Sequence, residues 1–173
     1  NAPPVTISVN DVTVLEGNSG TTNATFTVSL QQSSGQAVTV AYQTEDGTAS
    51  APGDYVGATG TLSFAPGETT KTVTVVVNGD TLDETHETYT LHLSNPTNGA
   101  ISDGVGLGTI TNDDGQPALS VNDVTVTEGD SGTVNATFNV TLAPASGQSV
   151  SVTYGTADGT ATAPADYTTT SGT

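Results

Sequence analysis

The chain has 173 residues and a formal net charge of −17, because 18 acidic residues stand against a single cationic side chain, Lys71. This charge excludes nucleic acids and anionic lipids as partners, since phosphate recognition needs lysine and arginine, and it favours small cations instead. The absence of cysteine excludes disulfides and thiolate metal sites.

Apolar and polar residues alternate along most of the chain, and this period of two predicts β-strands rather than helices. Clusters of Gly, Pro, Asn and Asp separate the alternating runs, as turns require. About seven such strands in the first 110 or so residues predict an all-β fold, a two-sheet antiparallel sandwich. The strand residues expected to carry the core are, in chain order, Ile7, Val9, Val12, Val14, Phe26, Val28, Leu30, Val38, Val40, Tyr42, Leu62, Phe64, Val73, Val75, Val77, Tyr89, Leu91, Leu93, Val105, Leu107 and Ile110.

The sequence repeats itself at an offset of 112 residues. Of the 54 positions in residues 8–61, 35 are identical in residues 120–173, without a gap. Such self-similarity predicts a tandem array of domain-sized units. We expect a complete unit in residues 1–114 (unit one) and the N-terminal half of a second, incomplete unit in residues 115–173 (unit two). The short connection 113–117 contains two acids and Pro117, which predicts a stiff joint.

The acidic residues avoid strand interiors and collect in turns. In an antiparallel sandwich, the turns after the third and fifth predicted strands and the end of the seventh lie at the same end. We call this end the acidic pole. It is expected to gather Asp46, Asp54, Asp80, Glu84, Glu87, Asp113 and Asp114.

Crowded carboxylates raise one another's pKa values, and a hard cation relieves their repulsion. Calcium suits such a site because it accepts 6–8 oxygen ligands in flexible geometry, whereas magnesium demands a tight octahedron and retains water. The alternative is that these acids are ordinary solvated turn residues. Spacing alone leaves both interpretations open.

Several motifs carry a resemblance to a known family. In order they are residues 14–17 (VLEG), 42–49 (YQTEDGTA), 53–55 (GDY), 60–68 (GTLSFAPGE), 80–84 (DTLDE), 93–96 (LSNP) and 109–114 (TITNDD). Together they resemble the Calx-beta repeat, which occurs in the calcium-sensing domains of sodium–calcium exchangers and in bacterial surface adhesins. The resemblance covers unit one and all of unit two that is present. It implies a seven-stranded, immunoglobulin-like sandwich that binds calcium at one pole.

The resemblance also implies a set of calcium ligands. Carried over by position, these are Glu16, Asp46, Asp80, Glu84, Glu87, Asp113 and Asp114, with Asp54, Asp83, Glu128 and Asp158 as secondary candidates. Exchanger domains have a denser acidic run after the fifth strand, where this chain has Gly79 and Thr81, so fewer or weaker sites are expected. Unit two keeps only Glu128 and Asp158 from the set and is not expected to complete a site.

No enzymatic activity is predicted. His86 lies among acids and His92 lies out of phase with its strand, but neither has a second histidine at ligand spacing or a nucleophile motif beside it. The sequence therefore predicts an extracellular or cell-surface module, structural or adhesive, from a large surface protein or filament. Calcium would stabilise its pole and its joint. The alternatives are a calcium-sensing regulatory module and an accessory domain of a secreted enzyme.

The expected partners are neighbouring repeats or identical subunits. Half a sandwich exposes strand edges and an apolar face, which includes Phe138, Val140, Val150, Val152 and Tyr154. We therefore expect either that the chain belongs to a longer protein, or that a neighbouring molecule supplies the missing strands in a head-to-tail arrangement. No stretch reaches transmembrane length, so direct membrane insertion is not expected.

Overall fold

The computed structural model describes residues 4–173. No helix forms in this range, so none is long and apolar enough to cross a membrane. Within the described residues, unit one forms ten strands: β1 (Thr6–Val9), β2 (Val12–Leu15), β3 (Thr21–Leu30), β4 (Val38–Asp46), β5 (Tyr55–Val56), β6 (Thr59–Phe64), β7 (Thr70–Asn78), β8 (Glu87–Thr97), β9 (Ala100–Asp103) and β10 (Val105–Thr111). They build two five-stranded sheets, in the orders β5-β7-β3-β1-β9 and β2-β10-β8-β4-β6. The predicted all-β, two-sheet sandwich is confirmed.

Alternation explains how the two sheets close over a core. Along β3, Ala24, Phe26, Val28 and Leu30 are buried, while the threonines between them face outward. β7 pairs with β3 in antiparallel register and buries Val73, Val75 and Val77 in the same way. Burying a side chain of this size stabilises the fold by about 1.5–3 kcal/mol. The opposite sheet contributes the largest remaining core residues, Val38, Val40, Phe64, Tyr89 and Leu91.

Two details differ from the predicted seven antiparallel strands. The first predicted strand is divided, because β1 joins one sheet and β2 joins the other. Moreover, β1 pairs with β9 and β2 pairs with β10 in parallel, so each sheet is mixed rather than purely antiparallel. Asn10 makes the crossing between the sheets possible: its Oδ1 accepts a hydrogen bond of 2.6 Å from the backbone N–H of Thr27.

The prediction that Val105 and Leu107 carry the core is wrong. These side chains are 45% and 41% exposed, whereas Gly106, Gly108 and Ile110 face inward. The reason is the space that aromatic rings occupy. A β-carbon at Gly106 would lie 2.7 Å from the backbone oxygen of Asn10 and 3.0 Å from Cδ1 of Phe26, and one at Gly108 would collide with the ring of Tyr89. β10 therefore turns its glycines towards the rings and its valine and leucine outward.

Unit two forms four short strands in the described residues: β11 (Ala118–Val121), β12 (Val140–Ala143), β13 (Tyr154–Gly155) and β14 (Ser171–Gly172). β11 pairs with β12 as β1 pairs with β3, and β13 pairs with β14 as β4 pairs with β6. The five apolar side chains expected to be open, Phe138, Val140, Val150, Val152 and Tyr154, are 41–54% exposed.

Candidate metal centre

Five separate segments deliver acidic side chains to the acidic pole. Glu16 follows β2, Asp54 precedes β5, and Glu87 begins β8. The β7–β8 loop carries Asp80 and Glu84, and the segment after β10 carries Asp113 and Asp114. Burial, and after it the charges of neighbouring acids, raise the pKa values of Glu16, Glu84, Glu87 and Asp114, because the five segments lie within electrostatic reach of one another.

Two glycines allow these segments to approach each other. Gly17 has a φ of +80°, so the chain turns immediately after Glu16, and its N–H donates a 3.0 Å hydrogen bond to Oδ1 of Asp113. Gly79 lies against the same turn, and a β-carbon there would be 2.7 Å from the carbonyl oxygen of Glu16. Position 79 thus has no room for a side chain in this backbone arrangement.

Glu16 is the most buried acid of the pole. Its side chain is 8% exposed, and its Oε1 has no hydrogen-bond partner among residues 4–173. Burial raises the pKa of Glu16 to about 7, helped by the charges of Asp80, Asp114, Glu84 and Asp113. A buried carboxylate oxygen without a proton donor is costly unless a cation neutralises it.

A second group lies beside the first. One carboxylate oxygen each of Asp54, Glu84 and Glu87 falls within 4.8 Å of the others, and all three side chains are half-buried. Burial raises the pKa of Glu87 to about 7, with the charges of Asp54 and Glu84 adding to the effect. The pKa of Glu84 is raised by burial and then by Asp80 and Asp54. Glu84 therefore belongs to both groups and links them.

The donor set fits a hard cation. Asp114 Oδ2 is a second buried oxygen without a hydrogen-bond partner in the described part of the chain, and burial together with Asp113 raises the pKa of Asp114. The only lysine or arginine of the sequence, Lys71, pairs with Glu68 at 2.9 Å. All ligand atoms are oxygens carrying negative charge, which is the chemistry that calcium prefers.

The structure brings together six of the seven predicted ligands: Glu16, Asp80, Glu84, Glu87, Asp113 and Asp114. Asp54, a secondary candidate in the sequence, belongs to the three-carboxylate group. Glu128 is exposed and lies outside any strand. The ligand role of each residue stays a prediction.

Asp46 has a different environment, which spacing did not reveal. Its Oδ1 accepts a 2.6 Å hydrogen bond from the Tyr55 hydroxyl and a 3.0 Å bond from the N–H of Ala51. These bonds hold the pKa of Asp46 below its usual value, whereas burial and the same contact raise the pKa of Tyr55 to about 12. Asp158 and Tyr167 repeat the pair in unit two, again at 2.6 Å.

Replacing Tyr55 with Phe should destabilise unit one by about 1–3 kcal/mol, because a buried hydroxyl that donates to a carboxylate is lost. The matched control is Tyr167→Phe, which removes the same bond at an exposed position and should cost less than about 1 kcal/mol. Urea denaturation of the full chain measures both. Equal losses for the two variants would contradict a structural role for the Asp46–Tyr55 pair.

Asp83 lies at the edge of the acidic pole and contacts unit two. Its Oδ1 accepts a hydrogen bond of 3.3 Å from the side-chain amide of Asn112, and its backbone oxygen accepts one of 3.2 Å from the N–H of Gly147. The same Asn112 donates its backbone N–H to Nδ1 of His86, at 3.1 Å. The acidic pole and the joint between the units are therefore adjacent along the chain.

The chain is similar to known proteins. A family model described as the Calx-beta domain matches residues 1–114 and, a second time, residues 111–173. Sodium/calcium exchanger 1 of Mus musculus is 47% identical over 58 residues, which make up 34% of this chain and 6% of the exchanger. The exchanger Calx of Drosophila melanogaster is 43% identical over 60 residues, 35% of this chain and 6% of that protein. The chain thus spans a small part of the length of these relatives.

Solved structures give the same result for the fold. The apo-form Calx CBD1 domain aligns with a TM-score of 0.56 and 28% identity, over 65% of this chain and 100% of that domain. The calcium binding domain CBD12 of CALX1.1 aligns with a TM-score of 0.56 and 29% identity, over 65% of this chain and 47% of that structure.

Proposed function

We propose, from the premise that this chain belongs to the Calx-beta family, that unit one binds calcium at its acidic pole and acts as a non-catalytic, calcium-responsive regulatory module. One observation supports this most strongly. Glu16 and Asp114 each hold a buried carboxylate oxygen without a hydrogen-bond partner in residues 4–173, and their neighbours are further acids. Above the raised pKa of Glu16, where the carboxylates are ionised, a cation turns that arrangement from a cost into a gain.

The acids would hold calcium in two neighbouring groups. Glu16, Asp80, Asp113 and Asp114 form one group by their mutual charge effects, and Asp54 with Glu87 forms the other. Glu84 belongs to both and would be shared. Bound calcium supplies the positive charge that the pole lacks. The Asp113 carboxylate is already oriented by the N–H of Gly17 and the Asn18 amide, at 3.0 and 3.4 Å.

A calcium response follows from this arrangement. Without a cation, the five segments of the pole repel each other, and the β7–β8 loop carries two of the acids involved. With a cation, the same segments are drawn together. Asp83, which precedes Glu84 in this loop, contacts unit two. A movement of Glu84 on calcium binding would therefore shift the contact between the units.

Thermal melting of the full chain in calcium and in chelator tests the proposal. Calcium at one hundred times its dissociation constant should stabilise the fold by about 2.7 kcal/mol, or roughly 10–20 °C in Tm for a domain of this size. Magnesium at the same concentration should give a much smaller shift. Glu84→Gln should remove most of the calcium effect, whereas Asp103→Asn, near the opposite end of the sandwich, should not. Coincident melting curves in calcium and chelator would refute calcium binding.

A structural repeat of a surface protein is the second candidate, and the direct contact between the two units favours it. Affinity separates the two functions. A regulatory module should bind calcium at micromolar concentration and change shape, whereas a structural array should bind at millimolar concentration and mainly gain stability. Calcium titration followed by small-angle scattering measures both quantities. The adhesive role and the extracellular location stay predictions.

A further inference from the structure

In the described part of the chain, a turn of unit two contacts unit one. The connection between β12 and β13 contains residues 143–149, which we call the 143–149 loop. Ser146 forms a parallel β-bridge with Asp83. The backbone oxygen of Asp83 accepts hydrogen bonds from the N–H of Gly147, at 3.2 Å, and from Oγ of Ser146, at 3.4 Å. The joint is therefore a short strand-like contact made at the edge of the acidic pole.

A side chain at position 147 would displace the Glu84 side chain from its present place. A β-carbon at Gly147 would lie 2.7 Å from Cγ of Glu84 and 2.9 Å from Cδ. At the equivalent position of unit one, Gly35, a β-carbon would have no heavy atom within 4 Å. The fold of the loop itself does not demand glycine there. A side chain at this loop position meets Glu84 only where the loop lies against an acidic pole, as it does in unit two.

Unit one contains an equivalent loop with the same Ser-Gly-Gln sequence, although the 143–149 loop begins with a cis Ala143–Pro144 bond that the 31–37 segment lacks. Residues 31–37 (the 31–37 loop) contain Ser34, Gly35 and Gln36, which correspond to Ser146, Gly147 and Gln148. In both loops the glutamine N–H donates to the serine Oγ, at 3.0 Å in unit one and 3.1 Å in unit two. Neither loop contains an acid, so in a chain of charge −17 both are neutral surfaces that an acidic pole does not repel.

The 31–37 loop lies at the end of unit one away from the acidic pole. β3 separates it from the turn after Glu16, and ten strand residues span roughly 33 Å. Ser33, Gly35 and Gln36 are exposed, and they line a shallow depression together with Val5 and Asn98. The 31–37 loop of unit one is thus equivalent in sequence position to the 143–149 loop, which contacts Asp83 of unit one.

We propose that the 31–37 loop of unit one is a docking surface for Asp83 and Glu84 of another repeat of the same type, placed before it in a chain. The preceding repeat's Asp83 backbone would receive the Gly35 N–H and the Ser34 hydroxyl, and its Glu84 side chain would lie over Gly35. Every repeat of this type would then have one donor loop and one acceptor pole, so the same contact can continue along an array. The inference does not depend on calcium binding.

Disulfide trapping in a lengthened chain tests this contact. In the test protein, residues 6–117 occur twice in succession, so the 31–37 loop of the second copy follows the Asp83 of the first copy through the natural 113–117 connection. The test pair is Asp83→Cys in the first copy and Ser34→Cys in the second. Bridge partners on adjacent strands lie about 4.8 Å apart, within the reach of a disulfide. The natural sequence has no cysteine, so no other pair can form.

Most chains of the test pair should cross-link under mild oxidation, as read from non-reducing gel mobility and intact mass. In the matched control, the second copy carries Ser19→Cys instead of Ser34→Cys. Ser19 is an exposed serine at the other end of the unit, so this pair should cross-link at least tenfold more slowly than the test pair. Adding Gly35→Val to the second copy should slow the test pair to the same extent. In the original chain, Gly35→Val should leave the melting temperature unchanged, because its side chain meets open space.

Asp83→Cys with Ser146→Cys in the original chain provides the reference rate for the observed joint. Cross-linking of the test pair near that rate supports the proposal. A test pair no faster than the Ser19 control overturns it. Failure of the reference pair itself also overturns it, because the joint on which the inference rests would then be absent.

Discussion

Replacing Glu16 with Gln is expected to stabilise the calcium-free protein at pH 8 and, at the same time, to weaken calcium binding at least tenfold. Both effects have one cause. Glu16 is buried among Asp80, Asp114, Glu84 and Asp113, and this environment raises its pKa from 4.5 to about 7. The neutral amide removes the repulsion, but it also removes a charged ligand.

The sign of the pH dependence follows from proton binding. Between pH 4.5 and 7 the folded protein binds a proton at Glu16 that the unfolded chain has released, so the stability of the calcium-free protein falls as the pH rises through this range. Allowing for solvent screening, Glu16 contributes about 1–2 kcal/mol to this loss. The Gln variant should therefore gain stability over the natural protein at pH 8 and gain little at pH 5.

Urea denaturation in chelator at the two pH values measures the stabilities, and calorimetric titration at pH 8 measures calcium binding. A carboxylate that binds calcium should give a variant that is more stable without calcium but binds calcium more weakly. A carboxylate with only a structural role would not give both effects. A variant that is less stable than the natural protein at pH 8, or that binds calcium equally well, would show that Glu16 is not part of a cation site.

Replacing Gly108 with Val should cost about 3 kcal/mol or more, the largest stability loss expected for a single change in β10. A β-carbon at Gly108 would collide with the ring of Tyr89, which is fully buried. That ring cannot retreat, because it stacks on Tyr55 at a centroid distance of 4.4 Å and contacts Phe26 edge-on at 6.1 Å.

Leu107→Ala is the matched control, since Leu107 is the next residue along β10 and is 41% exposed on the opposite face. It should cost less than about 1 kcal/mol. Thermal melting in chelator keeps the calcium contribution out of both measurements. If Leu107→Ala proved the more damaging change, the direction in which β10 faces would have to be reversed.

Alternation predicted most of the core because burial of one sheet face imposes a period of two on the sequence. It succeeded for β3 and β7, where each inward position holds an apolar residue. It failed for β10, because inward positions there are glycines whose space is filled by rings from other strands. The alternation within β10 could not show that the ring of Tyr89, from another strand, fills the space beside Gly108.

The acidic pole was predictable for a similar reason, and with a similar limit. Sandwich connections alternate between two ends, so turn acids after particular strands had to converge. The sequence could not show that Asp46 is held by Tyr55 or that Asp54 lies within reach of Glu84 and Glu87. Both depend on the exact path of the connection between β4 and β5. Nor could spacing reveal that Glu16 is buried, since its burial depends on Gly79 closing against the turn.

The parallel pairing of β2 with β10 determines how unit one would respond to a pulling force. In a tandem chain, tension enters at β1, reaches the N-terminal end of β2 through residues 10 and 11, and leaves at the C-terminal end of β10. Since the two strands run parallel, with Val12 opposite Gly108 and Leu15 opposite Thr111, opposite pulls slide them lengthwise. Their hydrogen bonds are then strained together instead of opening one after another. The geometry favours mechanical resistance by shear.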